Sequence, residues 1–188
     1  MRVVGRLKVF FGNVRSEALE WLRAFLRTIP GEVGCWLRRR LYGFKSGRRT
    51  RVLSGVMIYY PSKMVIGSDV GISAYCQFNA GGGIEIGDGV LIGPGSIVWS
   101  QNHAYESLDA PIRDQGYTRA KVVIENDVWI GAGSIVLPGV RLAQGTVVAA
   151  GSVVTKSSES YTVIAGVPAR VLRMRHASAG SRDTQVPG

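Results

Sequence analysis

The sequence predicts a mainly β chain wound as a parallel β-helix of hexapeptides, with helices ahead of it. Three observations predict this. An aliphatic residue recurs at every sixth position through Ile124, Ile130, Val136, Leu142, Val148 and Val154. A small or β-branched residue follows four positions after each of the first five, at Val128, Ser134, Val140, Thr146 and Ser152. Gly, Asp and Asn cluster after the aliphatic positions ("IGDG", "IGPG", "IGAG", "IEND"), where tight turns need them. A period of six matches neither the 3.6 of a helix nor the 2 of a hairpin strand. It matches a solenoid in which each hexapeptide supplies one short strand and one turn, and three hexapeptides close a triangular coil.

The N-terminal segment, residues 1–53, reads as basic and helical. It holds thirteen Lys and Arg against Glu17, Glu20 and Glu32, which is 13 − 3 = +10. The rest holds ten against ten, so the whole net charge of +10 belongs to this segment. "SEALEWLRAFLRTIPG" predicts a helix that Ser16 caps, Glu17 and Glu20 favour at its positive end, and Pro30-Gly31 stops. Leu19, Leu22, Phe25, Leu26 and Ile29 share one face of it. A second helix is expected from about Glu32 to Tyr42, apolar at Val33, Trp36, Leu37 and Leu41 and basic at Arg38, Arg39 and Arg40. These helices either cap the open end of the coil or lie on an anionic membrane surface, or both. No platform of aromatic and basic residues points to nucleic acid.

The β-helix is expected over residues 54–175. Its earlier blocks read Ile66, Ile72, Phe78 and then Ile86, Ile92, Val98, with Val70, Cys76, Val90 and Ser96 as companions. The step of eight from Phe78 to Ile86 falls in "NAGGG", a turn able to absorb two residues. That stretch lacks the Lys and Ser/Thr of a phosphate-binding loop. Between Val98 and Ile124 the count stops, across "SQNHAYESLDAPIRDQG". A loop over about residues 103–121 is expected to protrude there, and such loops carry function more often than packed core does. "VIAGVPARVLRMR" leaves the register and is expected to end the chain's order in a short basic helix or tail. Residues 176–188 are polar and expected to be disordered.

Composition excludes several classes. No run of eighteen apolar residues offers a membrane span, and no secretory signal is evident, so a cytoplasmic location is expected, with peripheral contact at the inner membrane face as an extension of it. Cys35 and Cys76 lack CxxC spacing and read as reduced, buried thiols. With His103 and His176 the only histidines, no metal site is expected.

The repeat, the interrupted count and the blocks "VWIGAGSIVLPGV", "VVAAGSVVTK" and "AGVPARVLR" resemble the hexapeptide-repeat acyltransferases, specifically the maltose, galactoside and xenobiotic acetyltransferases. The basic N-terminus and "QNHAYESLDAPIRDQG" look more like the O-acetyltransferases of bacterial exopolysaccharide, colanic-acid and lipopolysaccharide pathways. The resemblance implies a left-handed β-helix, a homotrimer with sites between subunits, and acetyl-CoA as co-substrate. It implies that His103 is the general base. A neutral imidazole suits deprotonation of a hydroxyl attacking an activated thioester. Carried over residue by residue, Ala132, Ala150, Thr155 and Lys156 would contact the pantetheine and phosphates, and Arg170 and Arg173 would meet the 3′-phosphate or pyrophosphate. An amide in "IGAG", that of Ala132, would serve the oxyanion. Trp99, Asn102 and Asn79 would line the acceptor pocket. Trp129 should face outward, towards the coenzyme or a neighbouring subunit. Glu106, Asp109, Asp114 and Glu125 are candidates to orient His103, and a backbone carbonyl would also serve. The expected activity is O-acetylation of a sugar hydroxyl. N-acylation of a nucleotide-linked amino sugar, antibiotic O-acetylation and a non-enzymatic platform are the alternatives.

Overall fold

The structure, a computed structural model, describes residues 17–175. Two helices come first: α1 over residues 17–28 and α2 over Gly31–Leu41. Both were expected; Ser16, the expected cap, and the tail from His176 onward lie outside the described residues.

A parallel β-solenoid follows, with three faces. The first carries Lys45–Ser46, Met64–Ile66, Ile84–Ile86, Val122–Ile124 and Arg141–Leu142. The second carries Arg51–Val52, Gly71–Ile72, Leu91–Ile92, Trp129–Ile130, Val147–Val148 and Thr162–Gly166, with Ala169–Met174 at its edge. The third carries Met57–Tyr59, Gln77–Asn79, Ile97–Trp99, Ile135–Val136 and Val153–Val154. All pairings within the faces are parallel except that of the last strand of the second.

Every expected inward position is buried, from Ile66 to Val154. The companions are buried too, including the hydroxyl residues. Their polar groups are met inside the coil: Ser96 Oγ donates to the Gly93 carbonyl at 2.8 Å, Ser152 Oγ to that of Ala149 at 2.7 Å, and Thr146 Oγ1 to that of Ala143 at 2.7 Å. A small hydroxyl thus ties its own turn, which explains why Ser and Thr are tolerated in an apolar column. Cys35 and Cys76 are free and buried.

Turns stack as closely as strands. A Cβ added to Gly131 would meet the Ala150 nitrogen at 2.5 Å, and one on Gly93 would meet that of Ala132 at 2.5 Å. Only glycine lets backbone approach backbone at these two corners.

The solenoid starts at Lys45, ahead of the boundary expected after residue 53. Val52 and Ile58, with Val56 as companion, continue the sixfold count one coil earlier, and all three are buried. The step from Ile58 to Ile66 is eight, like that from Phe78 to Ile86. Charged outward residues and the step of eight masked this coil.

The helices cap that first coil. Leu26 and Tyr42 belong to its core, and Ile29 and Leu37 pack against it. The apolar face expected of α1 is only partly used: Leu19, Leu22 and Phe25 are exposed. Arg38, expected on a basic face, is instead 0 % exposed. Its guanidinium donates to the carbonyls of Leu26 at 2.7 Å, Ile29 at 2.7 Å and Val52 at 2.8 Å. Leu26 is in the last turn of α1, where carbonyls lack helical partners and carry negative partial charge. Arg38 therefore caps α1 and fastens it to the coil.

The C-terminal segment is not a helix. Thr162–Gly166 and Ala169–Met174 form an antiparallel hairpin across Gly166 (φ 102°) and a cis Val167–Pro168 bond. The strand Thr162–Gly166 pairs with Val147–Val148 as the next coil would, and Ala169–Met174 turns back along the open edge.

Candidate functional site

The sixfold count is interrupted between the third face and the first. Gln101–His103 and Tyr117–Arg119 form an antiparallel ribbon, with Gln101 opposite Arg119, Asn102 opposite Thr118 and His103 opposite Tyr117. The expected loop is thus a hairpin with an ordered stem, and His103 ends its first strand. The excursion is closed at its root: Ala120 N–H donates to the Ser100 carbonyl at 3.0 Å, and Val122 N–H to that of Gly83 at 3.1 Å.

His103 is exposed, with its ring 4.6 Å from that of Tyr117 and tilted by 37°. It borders a cavity of about 630 Å³ that also contains Asn79, Trp99 and Asn102. These four expected residues therefore share one space. Asn79 and Trp99 arrive by register, since Tyr59, Asn79 and Trp99 pair in successive coils at the same strand end. The extra residues after Phe78 lie beyond Asn79 and leave its register intact.

Sequence reasoning missed part of this cavity. Tyr59, Tyr60, Gln77, Gln101 and Tyr117 line it, as do Glu20 and Arg23 of α1. Gln101 is buried, and its Oε1 accepts from Arg119 Nε at 3.1 Å. The register of Tyr59 with Asn79 was a usable signal once the first coil was found. The position of α1 beside the cavity was not, because a helical period shows that a face is apolar but not which surface of the coil it meets.

Of the residues considered for orienting His103, Glu125 is committed elsewhere. It pairs with Arg141 and accepts from Gln144 N–H at 2.8 Å, and the Arg141 guanidinium holds its carboxyl below the usual range. Asp114 lies 3.6 Å from Arg113. The aromatic ring in contact with the imidazole is that of Tyr117.

The residues expected at the coenzyme divide between two corners. Ala132 and Ala150 are exposed at the turns joining the second face to the third. Gly151 N–H donates to the Ala132 carbonyl at 2.8 Å, stacking the two turns. The tip of the C-terminal hairpin reaches the same corner, where Gly166 N–H donates to Ser152 Oγ at 3.2 Å. Arg170 follows that tip, and Arg173 lies further along the same edge strand; both are exposed. Thr155 and Lys156 instead follow Val153–Val154 at the other corner, two coils beyond Trp99. Within one chain, His103 and the Ala132–Ala150 column thus occupy opposite edges of the third face. Trp129 faces outward on the second face, as expected, 54 % exposed over a hollow of about 310 Å³ beside Gly71.

Known proteins bear on this arrangement. The family description "Bacterial transferase hexapeptide (six repeats)" matches residues 121–156. The dTDP-4-amino-4,6-dideoxy-D-glucose acyltransferase of Escherichia coli is 33% identical over 160 residues, 71% of this chain and 83% of that protein. The galactoside O-acetyltransferase of Lactococcus lactis is 31% identical over 150 residues, 79% of this chain and 65% of that protein. A probable acetyltransferase of Mycobacterium tuberculosis, Rv3034c, is 31% identical over 147 residues, 78% of this chain but only 45% of that protein. Among solved structures, the hexapeptide-repeat containing acetyltransferase VCA0836 of Vibrio cholerae, complexed with acetyl coenzyme A, is 32% identical with a TM-score of 0.73, covering 84% of this chain and 87% of that one. With the coil, the interrupted count and a relative matched over most of its length, the chain belongs to the bacterial hexapeptide-repeat acyltransferases.

Proposed function

We propose that the protein transfers an acetyl group from acetyl-CoA to a hydroxyl of a sugar, in cell-surface glycan synthesis, with His103 as general base. The observation that carries this reading is the single cavity shared by His103, Asn79, Trp99 and Asn102. In the transfer, the acceptor oxygen attacks the thioester carbonyl while His103 takes its proton. The backbone N–H of Ala132 would receive the oxyanion, since those of Gly131 and Gly133 are bonded to the carbonyls of Val148 and Pro94. Collapse breaks the C–S bond, and the imidazolium returns the proton to the departing thiolate. No covalent enzyme intermediate is needed.

The donor set fits acetyl-CoA. A backbone column at Ala132 and Ala150 suits pantetheine, and exposed cations at Lys156, Arg170 and Arg173 suit its phosphates. Because the Ala132–Ala150 column, with Arg170 beside it, sits on the opposite edge of the third face from His103 and Lys156, a complete site takes one edge from each of two chains. A closed ring of three copies satisfies this with every edge used. Exposed Trp21, Phe25, Val33 and Trp36 beside Arg39 and Arg40 support peripheral contact of the cap with an anionic membrane. Among the described residues, no helix is long and apolar enough to cross one.

Titration calorimetry with acetyl-CoA tests the donor site. Micromolar binding by the wild type, lost in Lys156→Ala/Arg170→Ala, is expected. Well-folded protein that binds no acetyl-CoA would favour a structural platform instead.

A further inference from the structure

α1 lies outside the coil, yet it forms one wall of the His103 cavity. Glu20 and Arg23 stand on that wall, joined by an ion pair of 2.7 Å. Several ties hold the helix there. Arg38 binds the carbonyls of Leu26 and Ile29, Gly55 N–H donates to the Arg27 carbonyl at 2.9 Å, and the Tyr42 hydroxyl reaches the Arg23 carbonyl at 3.5 Å. The wall is therefore built before any ligand arrives, on a rigid element.

Its charge cancels. Among the described residues, Glu20 is the only carboxylate lining the cavity and Arg23 the only guanidinium, with no lysine. Two neighbouring cations stand behind the lining rather than in it: Lys63 donates to the Gly81 carbonyl at 3.0 Å and lies 5.8 Å from the centre of the Tyr60 ring, and Arg119 donates to Gln101 at 3.1 Å. The remaining wall offers side-chain amides at Gln77, Asn79 and Asn102 and aromatic rings at Tyr59 and Tyr60. Two N–H groups of the lining residues, Arg23 Nε and Trp99 Nε1, have no partner among the described residues.

Resting on the acetyltransferase reading above, we propose that Glu20 and Arg23 form a clamp for the acceptor, and that the acceptor is an uncharged, polyhydroxylated sugar. Sugar hydroxyls both donate and accept. They can donate hydrogen bonds to the Glu20 carboxylate and accept them from the Arg23 guanidinium, leaving neither charge uncompensated. Aromatic rings take the apolar faces of such a ring, and a volume of about 630 Å³ suits a small saccharide. A nucleoside diphosphate fits poorly. Its pyrophosphate would meet a lining whose one guanidinium is already paired with Glu20, and the Glu20 carboxylate beside it would repel the phosphate charge. The helical cap thereby selects for a free or glycan-borne sugar over a nucleotide-linked one.

Saturation-transfer NMR on the full chain tests this, with methyl β-D-galactopyranoside and lactose as neutral probes and dTDP as competitor. Saturation is expected to reach the neutral probes, to persist when dTDP is added, and to vanish in Glu20→Ala/Arg23→Ala at an unchanged Tm. Should the double variant unfold, Glu20→Gln carries the test, since it leaves the packing in place and removes only the charge. Displacement by dTDP, undiminished transfer in the variants, or no transfer to either neutral probe would each overturn the proposal. Acetyl-CoA titration of the same samples separates the two ideas. A clamp that fails while acetyl-CoA still binds leaves the acetyltransferase reading standing.

Discussion

His103 and Tyr117 face each other across the two strands of the ribbon, their ring centroids 4.6 Å apart and their planes 37° from parallel. Such a contact constrains the plane of an imidazole without drawing on its nitrogens, which a general base at this position would need free.

His103→Ala is expected to lower kcat by roughly 10²–10⁴-fold, the usual worth of a general base, while acetyl-CoA binding is retained. Tyr117→Leu should lower kcat by roughly 10–100-fold through misorientation alone. Steady-state kinetics of the two variants check this. Equal losses, or a Tyr117 variant that changes only KM for acetyl-CoA, would contradict the orienting role.

If each site takes His103 from one chain and the Ala132 column from its neighbour, two inactive variants should rescue one another. His103→Ala and Ala132→Trp, each inactive alone, are expected to regain roughly a quarter of wild-type activity when co-expressed in equal amounts, the chance that both intact edges meet in a mixed ring. No recovery from verified mixed oligomers would mean that each site is built within one chain.

Arg38→Met should destabilise the protein by about 3–5 kcal/mol in urea unfolding, because the buried carbonyls of Leu26 and Val52 and the partly buried one of Ile29 lose a charged donor at once. Arg40→Met, at an exposed position on the same helix, is expected to change stability by less than about 0.5 kcal/mol. Similar effects at the two positions would refute the assignment of Arg38 as the tie between cap and coil.

Burial pushes the Tyr42 phenol up to about 12, from 10.0, against the pull of Arg38, Arg27 and Arg23. The folded state therefore holds this proton more tightly than the unfolded chain does. The resulting stability is complete below pH 10 and is lost as pH rises from 10 towards 12. Tyr42→Phe should flatten the fall in stability over that window; an unchanged alkaline profile would show that Tyr42 does not drive it.

The coil was legible because its chemistry repeats. Each of Ile124, Ile130 and Val136 meets the same packing demand, so the period carries the fold. His103 was legible as a break in that period, and Asn79, Trp99 and Asn102 as its neighbours in register or in sequence. Glu20, Arg23 and Arg38 were not. Their roles depend on where two helices dock, and a run of three arginines looks like a solvated face until the carbonyls that bury one of them are found. The hairpin at Thr162–Met174 was obscured for a related reason, since a strand that ends a solenoid has no following coil to impose a period. The division between two corners of the residues expected at the coenzyme was hidden as well, because sequence distance does not report which edge of a triangle a turn occupies.

The ribbon leaves the coil at Ser100 and returns at Ala120, and one backbone hydrogen bond joins the two points. To the winding below, a hairpin of any length beginning and ending there is the same closed junction. The arm that carries His103 can be lengthened, shortened or exchanged as a graft while the stacked faces keep their pairing. Inheritance can revise what the enzyme accepts on one rim without renegotiating how the chain folds.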